Sequence, residues 1–129
     1  MIYLGNQAIT LNAISRLEPY KIPLGAVKNI RFSIIDGILN VCWEDPDNIV
    51  IDESVVASFG ATKLMAKLDT YPTSHNDGTQ LYSSTTKNTH LHAPLTVDLD
   101  ALGLISEGHT ICFRFFSSTA STEYWNDDA

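Results

Sequence analysis

The sequence is poor in the features that would tie it to a disulfide scaffold, a membrane or a nucleic acid. It has only two cysteines, Cys42 and Cys112, in 129 residues. That is too few for a disulfide framework, though the count alone leaves a single bridge open. No apolar run approaches the ~20 residues of a membrane-spanning helix. No basic stretch followed by an apolar one stands at the N-terminus, so no secretory signal is expected. Lys and Arg number 8 against 15 Asp and Glu, a formal charge of −7, which argues against a polyanion bound through phosphate neutralisation. There is no glycine-rich phosphate loop and no Gly-x-Ser-x-Gly element. What is present is an ordinary core: 44% of residues are hydrophobic and 18% charged. A chain of this length buries roughly two thirds of its unfolded surface and needs neither staple nor metal to fold.

From Lys28 onward the chain reads as short strands separated by turn chemistry. Lys28 to Ile35 (KNIRFSII) ends at Asp36-Gly37, a tight-turn dipeptide. Ile38 to Glu44 (ILNVCWE) puts Leu39, Val41 and Trp43 on one face by period two. Asp45-Pro46-Asp47-Asn48 then breaks the run, since proline sets a turn and Asp and Asn close it through their side chains. Ala61 to Leu68 fits helix or strand, but Thr62, Leu64, Ala66 and Leu68 alternate with Lys63, Met65 and Lys67, which favours a half-buried strand. Tyr71 to Thr79 is a loop by composition, followed by short strands at Gln80 to Ser84 and Leu95 to Leu99. Thr110 to Phe116 (TICFRFF) is the clearest strand, with Ile111, Phe113 and Phe115 on one face, and Glu123 to Trp125 supplies a last edge strand. With no long amphipathic helix, the chain is all-β, a sandwich or small barrel.

Residues 1–27 differ in character. Ile2-Tyr3-Leu4-Gly5-Asn6-Gln7-Ala8-Ile9 has apolar flanks around Gly-Asn, a two-residue hairpin signal, and Leu11, Ile14 and Leu17 fit one face of a helical turn. Pro19, Pro23 and Gly25 mark an extended connector. A lone hairpin is marginal in water, so this arm is expected to pack, either on its own domain or on a neighbouring subunit.

Trp43-Glu44-Asp45-Pro46-Asp47, Val56 to Leu64, Tyr71-Pro72-Thr73-Ser74, Asp77-Gly78-Thr79, Ser84 to Asn88, Leu102-Gly103-Leu104 and Gly108 to Phe116 together resemble a fibronectin type III domain of the variety found in bacteriophage tail and virion proteins. The likeness covers roughly residues 28 to 125, and the order and spacing of these pieces carry it. The Ile-Tyr-Leu-Gly-Asn start is similar to strand-turn-strand units of phage tail proteins. The resemblance implies an immunoglobulin-like sandwich of seven strands over residues 28–129, with Trp43 in the core on the second strand and the first 27 residues as an attachment or oligomerisation arm. It also implies that the second and sixth strands lie in opposite sheets. With Trp43 and Ile111, Phe113 and Phe115 inward, Cys42 and Cys112 then point outward on opposite sides and stay free thiols. The family usually ties the corner before its sixth strand with a tyrosine hydroxyl. Here Gly108 is followed by His109 and Thr110, so that corner is expected to rest on packing alone or on the arm.

Little in the sequence points to chemistry. Asp45, Asp47, Asp52 and Glu53 lack the glycine-centred spacing of a calcium loop. His90 and His92, even with His75 or His109, lack fixed zinc spacing. No metal, cofactor or catalytic residue is therefore assigned, and enzyme activity is not expected. Exposed aromatics remain: Tyr71, Tyr82, Tyr124 and Trp125 lie amid Ser, Thr and Asn, a setting that suits sugar stacking, a protein interface or simply a covered sandwich end. The expected function is a non-enzymatic virion structural protein of the tail, baseplate or capsid, made in the host cytoplasm. It would be anchored through Ile2, Tyr3, Leu4 and Ile9 to other virion proteins and copies of itself, without nucleic acid or membrane as partner. The alternative is an adhesion module binding a host-surface carbohydrate through its aromatic loops.

Overall fold

The computed structural model describes residues 22–121 and 123–127. The expectations placed on Ile2, Tyr3, Leu4 and Ile9 therefore lie outside the described residues. Every regular element among the described residues is a strand: β1 (Lys28–Ile35), β2 (Ile38–Glu44), β3 (Ile49–Ile51), β4 (Ser54–Ala57), β5 (Phe59–Leu68), β6 (Thr79–Ser84), β7 (Leu95–Asp98) and β8 (Ile111–Thr119). They form two three-stranded sheets, β1-β2-β7 and β6-β5-β8, and a separate β3-β4 hairpin. All pairings are antiparallel.

The β1-β2 hairpin closes at Asp36 and Gly37, whose φ angles of 54° and 78° suit a two-residue turn matched to strand twist. The second hairpin repeats the device at Asp52 and Glu53, with φ of 51° and 65°. The stretch from Ile49 to Ala57, to which the sequence reading assigns no strand, is thus a hairpin; without glycine its turn gives no sequence signal. In β5 a bulge lies between Phe59 and Ala61, where Gly60 lets the backbones close up. A Cβ at Gly60 would sit 2.5 Å from the Thr119 carbonyl oxygen.

Side chains from both sheets meet in one core. Leu39, Val41 and Trp43 of β2 and Val97 of β7 face Leu64 and Ala66 of β5, and Leu99 and Leu104 close one end. Trp43 is 1% exposed. Its ring lies 4.7 Å from Phe115 and 5.2 Å from Tyr82, and its Nε1 donates to Asp45 at 2.9 Å. Asp45 also accepts from the Asn88 backbone, while its own N–H donates to the Asn88 side chain. Burying that carboxylate is offset by the two hydrogen bonds it accepts, and the two bonds shared with Asn88 pin the 45–48 turn to the loop after β6.

β8 departs from simple inside-outside parity. Ile111, Phe113 and Phe115 pack against the core but remain half-buried, whereas Cys112 and Phe116 on the other face are buried. That outer face is covered by chain from far away in sequence. Arg114 donates to the carbonyls of Pro72 and Asp127, and its guanidinium lies 4.7 Å from the centre of the Phe116 ring. Cys112 therefore points outward, as the parity requires, yet is buried, and both cysteines are free.

The expected edge strand at Glu123 to Trp125 reduces to a single bridge between Trp125 and Ser118. It is extended by hydrogen bonds from Thr119 N to Tyr124 O and from Asn126 N to Ser117 O. The Asn126 side chain reaches on to the carbonyls of Leu24 and Gly25, and Leu24 is 2% exposed. The corner expected to rest on packing has its own tie. Asp69 accepts from His109 Nδ1 at 2.7 Å and from Thr110 N at 3.1 Å, while its own N–H donates to the Thr110 carbonyl. The hydrogen bonds from His109 and Thr110 hold the Asp69 carboxyl below its usual range.

Candidate functional site

Among the described residues the sandwich is covered on one side and open on the other. β1 and β2 are paired neighbours, with Phe32 opposite Val41 and Ile34 opposite Leu39. Directly opposed residues share a face, so Phe32 and Ile34 point between the sheets as Val41 and Leu39 do, and Ile30 lines the same space. They are nevertheless exposed, Phe32 by 64%, because no strand described here lies across from them. The space is a groove of about 530 Å³, with Ile30, Phe32 and Ile34 as one wall, Leu39, Val41 and Leu64 as floor and β8 as the other wall.

Residues of both faces of β8 line this groove: Ile111, Phe113 and Phe115 from the inner face, Cys112 and Arg114 from the outer. The groove therefore wraps around the strand's edge. The C-terminal segment pairs with β8 only from Ser117 to Thr119. From Ile111 to Phe116 the edge away from β5 has no strand partner among the described residues. A strand edge beside an apolar wall is a template for an added strand.

A second apolar feature stands apart. On the β3-β4 hairpin Val50, Ile51, Val55 and Val56 are all exposed, by 42 to 58%. Val50 pairs across the ladder with Val55.

The aromatics singled out from sequence do not converge. Tyr71 is exposed and lines the groove. Tyr82 stands edge-on to Trp43 and packs against the core. Trp125 is half-buried and stacks on His75, with ring centres 4.4 Å apart, and Lys63 Nζ lies 5.2 Å from the Trp125 ring centre. Tyr124 is half-buried, and its backbone N–H donates to the Thr119 hydroxyl.

The acidic residues are likewise dispersed. Asp45 is in the core network, Asp47 pairs with Lys28 at 2.9 Å, and Asp52 and Glu53 sit at the β3-β4 turn. Among the described residues no group of three His, Cys, Asp or Glu side chains is placed to hold a metal ion. His90 lies against Trp43 and Tyr82. Two His–Asp pairs, His75 with Asp127 and His109 with Asp69, look like catalytic dyads in isolation. In each the carboxylate also accepts a backbone N–H, from His75 itself or from Thr110, so both pairs tie loops together. Lys67 and Thr73 do the same to Asp77, and their hydrogen bonds lower its carboxyl from the usual value.

The groove was missed in the sequence because alternation at Ile30, Phe32 and Ile34 reports a face, not what lies across from it. The chain matches no family model, no curated protein sequence and no solved structure.

Proposed function

We propose that this protein is a non-enzymatic structural subunit of a bacteriophage particle, a fibronectin type III-like sandwich that assembles through apolar strand edges and its N-terminal arm. The observation that carries the assembly role is the uncovered inner face of β1, Ile30, Phe32 and Ile34, over an apolar groove. Contiguous exposed apolar surface marks interaction sites, and water released from it stabilises a complex by about 25 cal/mol per Å² of apolar area. The β3-β4 hairpin adds a second apolar contact on the same molecule.

The fibronectin-like reading draws support from Trp43, which is buried on the second strand as the resemblance implies, and from the two facing sheets β1-β2-β7 and β6-β5-β8. A sandwich of seven strands leaves one more place than these sheets fill, and the open edge of β8 is such a place. The carbohydrate-binding alternative has less behind it. Tyr71, Tyr82 and Trp125 form no shared platform, and Trp125 already stacks on His75.

The test is incorporation. Particles from a phage encoding this chain are purified and their proteins identified by mass spectrometry. The same is done for a variant lacking residues 1–21, a cut that keeps the buried Leu24. The full chain is expected in the particle at stoichiometric amounts and the truncated chain is expected to be lost from it. Absence of the full chain from particles overturns the structural role; normal incorporation of the truncated chain overturns the anchoring role of the arm.

A further inference from the structure

The groove has the shape of a missing strand, and the requirements on whatever fills it can be read from its walls. The occupant must pair with the β8 backbone from Ile111 to Phe116, a length of ~20 Å at about 3.3 Å per residue. Every second side chain must be apolar, to lie on Ile30, Phe32 and Ile34. The intervening ones face the outer side, where Arg114 and the exposed Tyr71 lie, and are best polar. Residues 9–13, Ile-Thr-Leu-Asn-Ala, have that pattern over five of those six positions: Ile9, Leu11 and Ala13 on one side, Thr10 and Asn12 on the other. They belong to the part of the chain that precedes the described residues and contain no proline.

Direction bears on which copy supplies them. Every strand pair here is antiparallel, and Tyr124 to Asn126 already run antiparallel to the end of β8. An antiparallel strand continuing that line ends beside Ile111. The chain's own entry point lies at the other end of β8, because Asn126, bonded to Ser117, holds Leu24 and Gly25. For a chain to fill its own groove, residues 14–23, with Pro19 and Pro23 among them, must lead back along the full length of the slot. A neighbour's segment needs no return path.

We propose that residues 9–13 of one copy add as a strand to the edge of β8 away from β5 in a second copy, laying Ile9, Leu11 and Ala13 on Ile30, Phe32 and Ile34. This rests on the assembly role above and names its partner as the same chain. Exchange of this kind closes into a reciprocal dimer or runs head to tail into a ring or filament.

Two charge substitutions in the full chain test it. Leu11→Asp spoils the donor but leaves the groove intact; Phe32→Asp spoils the groove but leaves the donor intact. Phe32 is 64% exposed, so its variant keeps the fold, and thermal melting of each variant verifies this. By light scattering and native mass spectrometry at tens of micromolar, the unmodified chain is expected to be dimeric or larger and each variant monomeric. An equimolar mixture of the two variants is expected to form a one-to-one heterodimer, since each supplies what the other lacks. In a Cys42→Ser background, labelling of Cys112, which lines the groove, is expected to be at least tenfold slower in the assembled chain than in either monomeric variant. A monomeric unmodified chain, assembly unaffected by either substitution, or a mixture that stays monomeric overturns the proposal. The structural role is judged separately, by presence in the particle, and survives that outcome.

Discussion

β1 and β2 are paired neighbours of almost equal length, and residues opposite one another across the pair point to the same face, yet their surroundings are opposite. Along β2 every second residue is buried; along β1 every residue is exposed. The difference does not come from the strands themselves, since Phe32 and Ile34 of β1 are as apolar as the Val41 and Leu39 they pair with. It comes from what lies across the sandwich: β5 and Phe115 cover β2, and nothing described covers β1. A side chain's position on an inward face and its burial are separate properties, and β1 shows the gap between them.

The contrast can be broken first on the covered side. Trp43→Ala removes a fully buried ring from the centre of the core and is expected to cost about 3–5 kcal/mol in chemical denaturation. Should it cost under about 1 kcal/mol, the packing described around β2 is not the stabilising core. Next comes the contact between β5 and β8. Gly60→Ala places a methyl 2.5 Å from the Thr119 carbonyl oxygen and is expected to destabilise by about 1–3 kcal/mol through enforced backbone movement.

A smaller effect is expected from acid. Asp69 and Asp77 have carboxyls lowered by their hydrogen-bond partners in the folded state. Their contribution is therefore complete above the ordinary carboxylate value of about 3.9 and is lost as pH falls from there through the folded values. In melting curves from pH 7 to pH 2.5, Asp69→Asn is expected to flatten the acid limb; an unchanged limb means that the tie to His109 and Thr110 does not support the corner. The smallest effect belongs to the open side. Phe32→Ala is expected to change monomer stability by no more than about 0.5 kcal/mol, and a loss above about 2 kcal/mol would show that the groove is already filled within one molecule.

The same contrast explains how far the sequence could be read. Asp36-Gly37 announced the β1-β2 hairpin, and period two at Leu39, Val41 and Trp43 and again at Ile111, Phe113 and Phe115 gave the inward faces, because both are local signals. The β3-β4 hairpin escaped because its turn is Asp52-Glu53, without the glycine that marks such turns in sequence. The Asp69 tie to His109 and Thr110 spans about 40 positions, and the cover over β8 comes from Pro72, 42 positions away, and Asp127, 13 away; no periodicity encodes such contacts. Tyr82 and Trp125 read as exposed because their neighbours in sequence are polar, while their neighbours in space are Trp43 and His75. The groove was hidden for the complementary reason, since an inward apolar strand looks the same whether or not anything faces it.

Amide hydrogen exchange along β8, followed as protein concentration rises, tests the filling of the groove most directly. If a second copy pairs with β8, alternate amides between Ile111 and Phe116, those directed away from β5, slow markedly with concentration, while amides paired with β5 are protected throughout. Exchange at those edge amides that is fast and independent of concentration would contradict it.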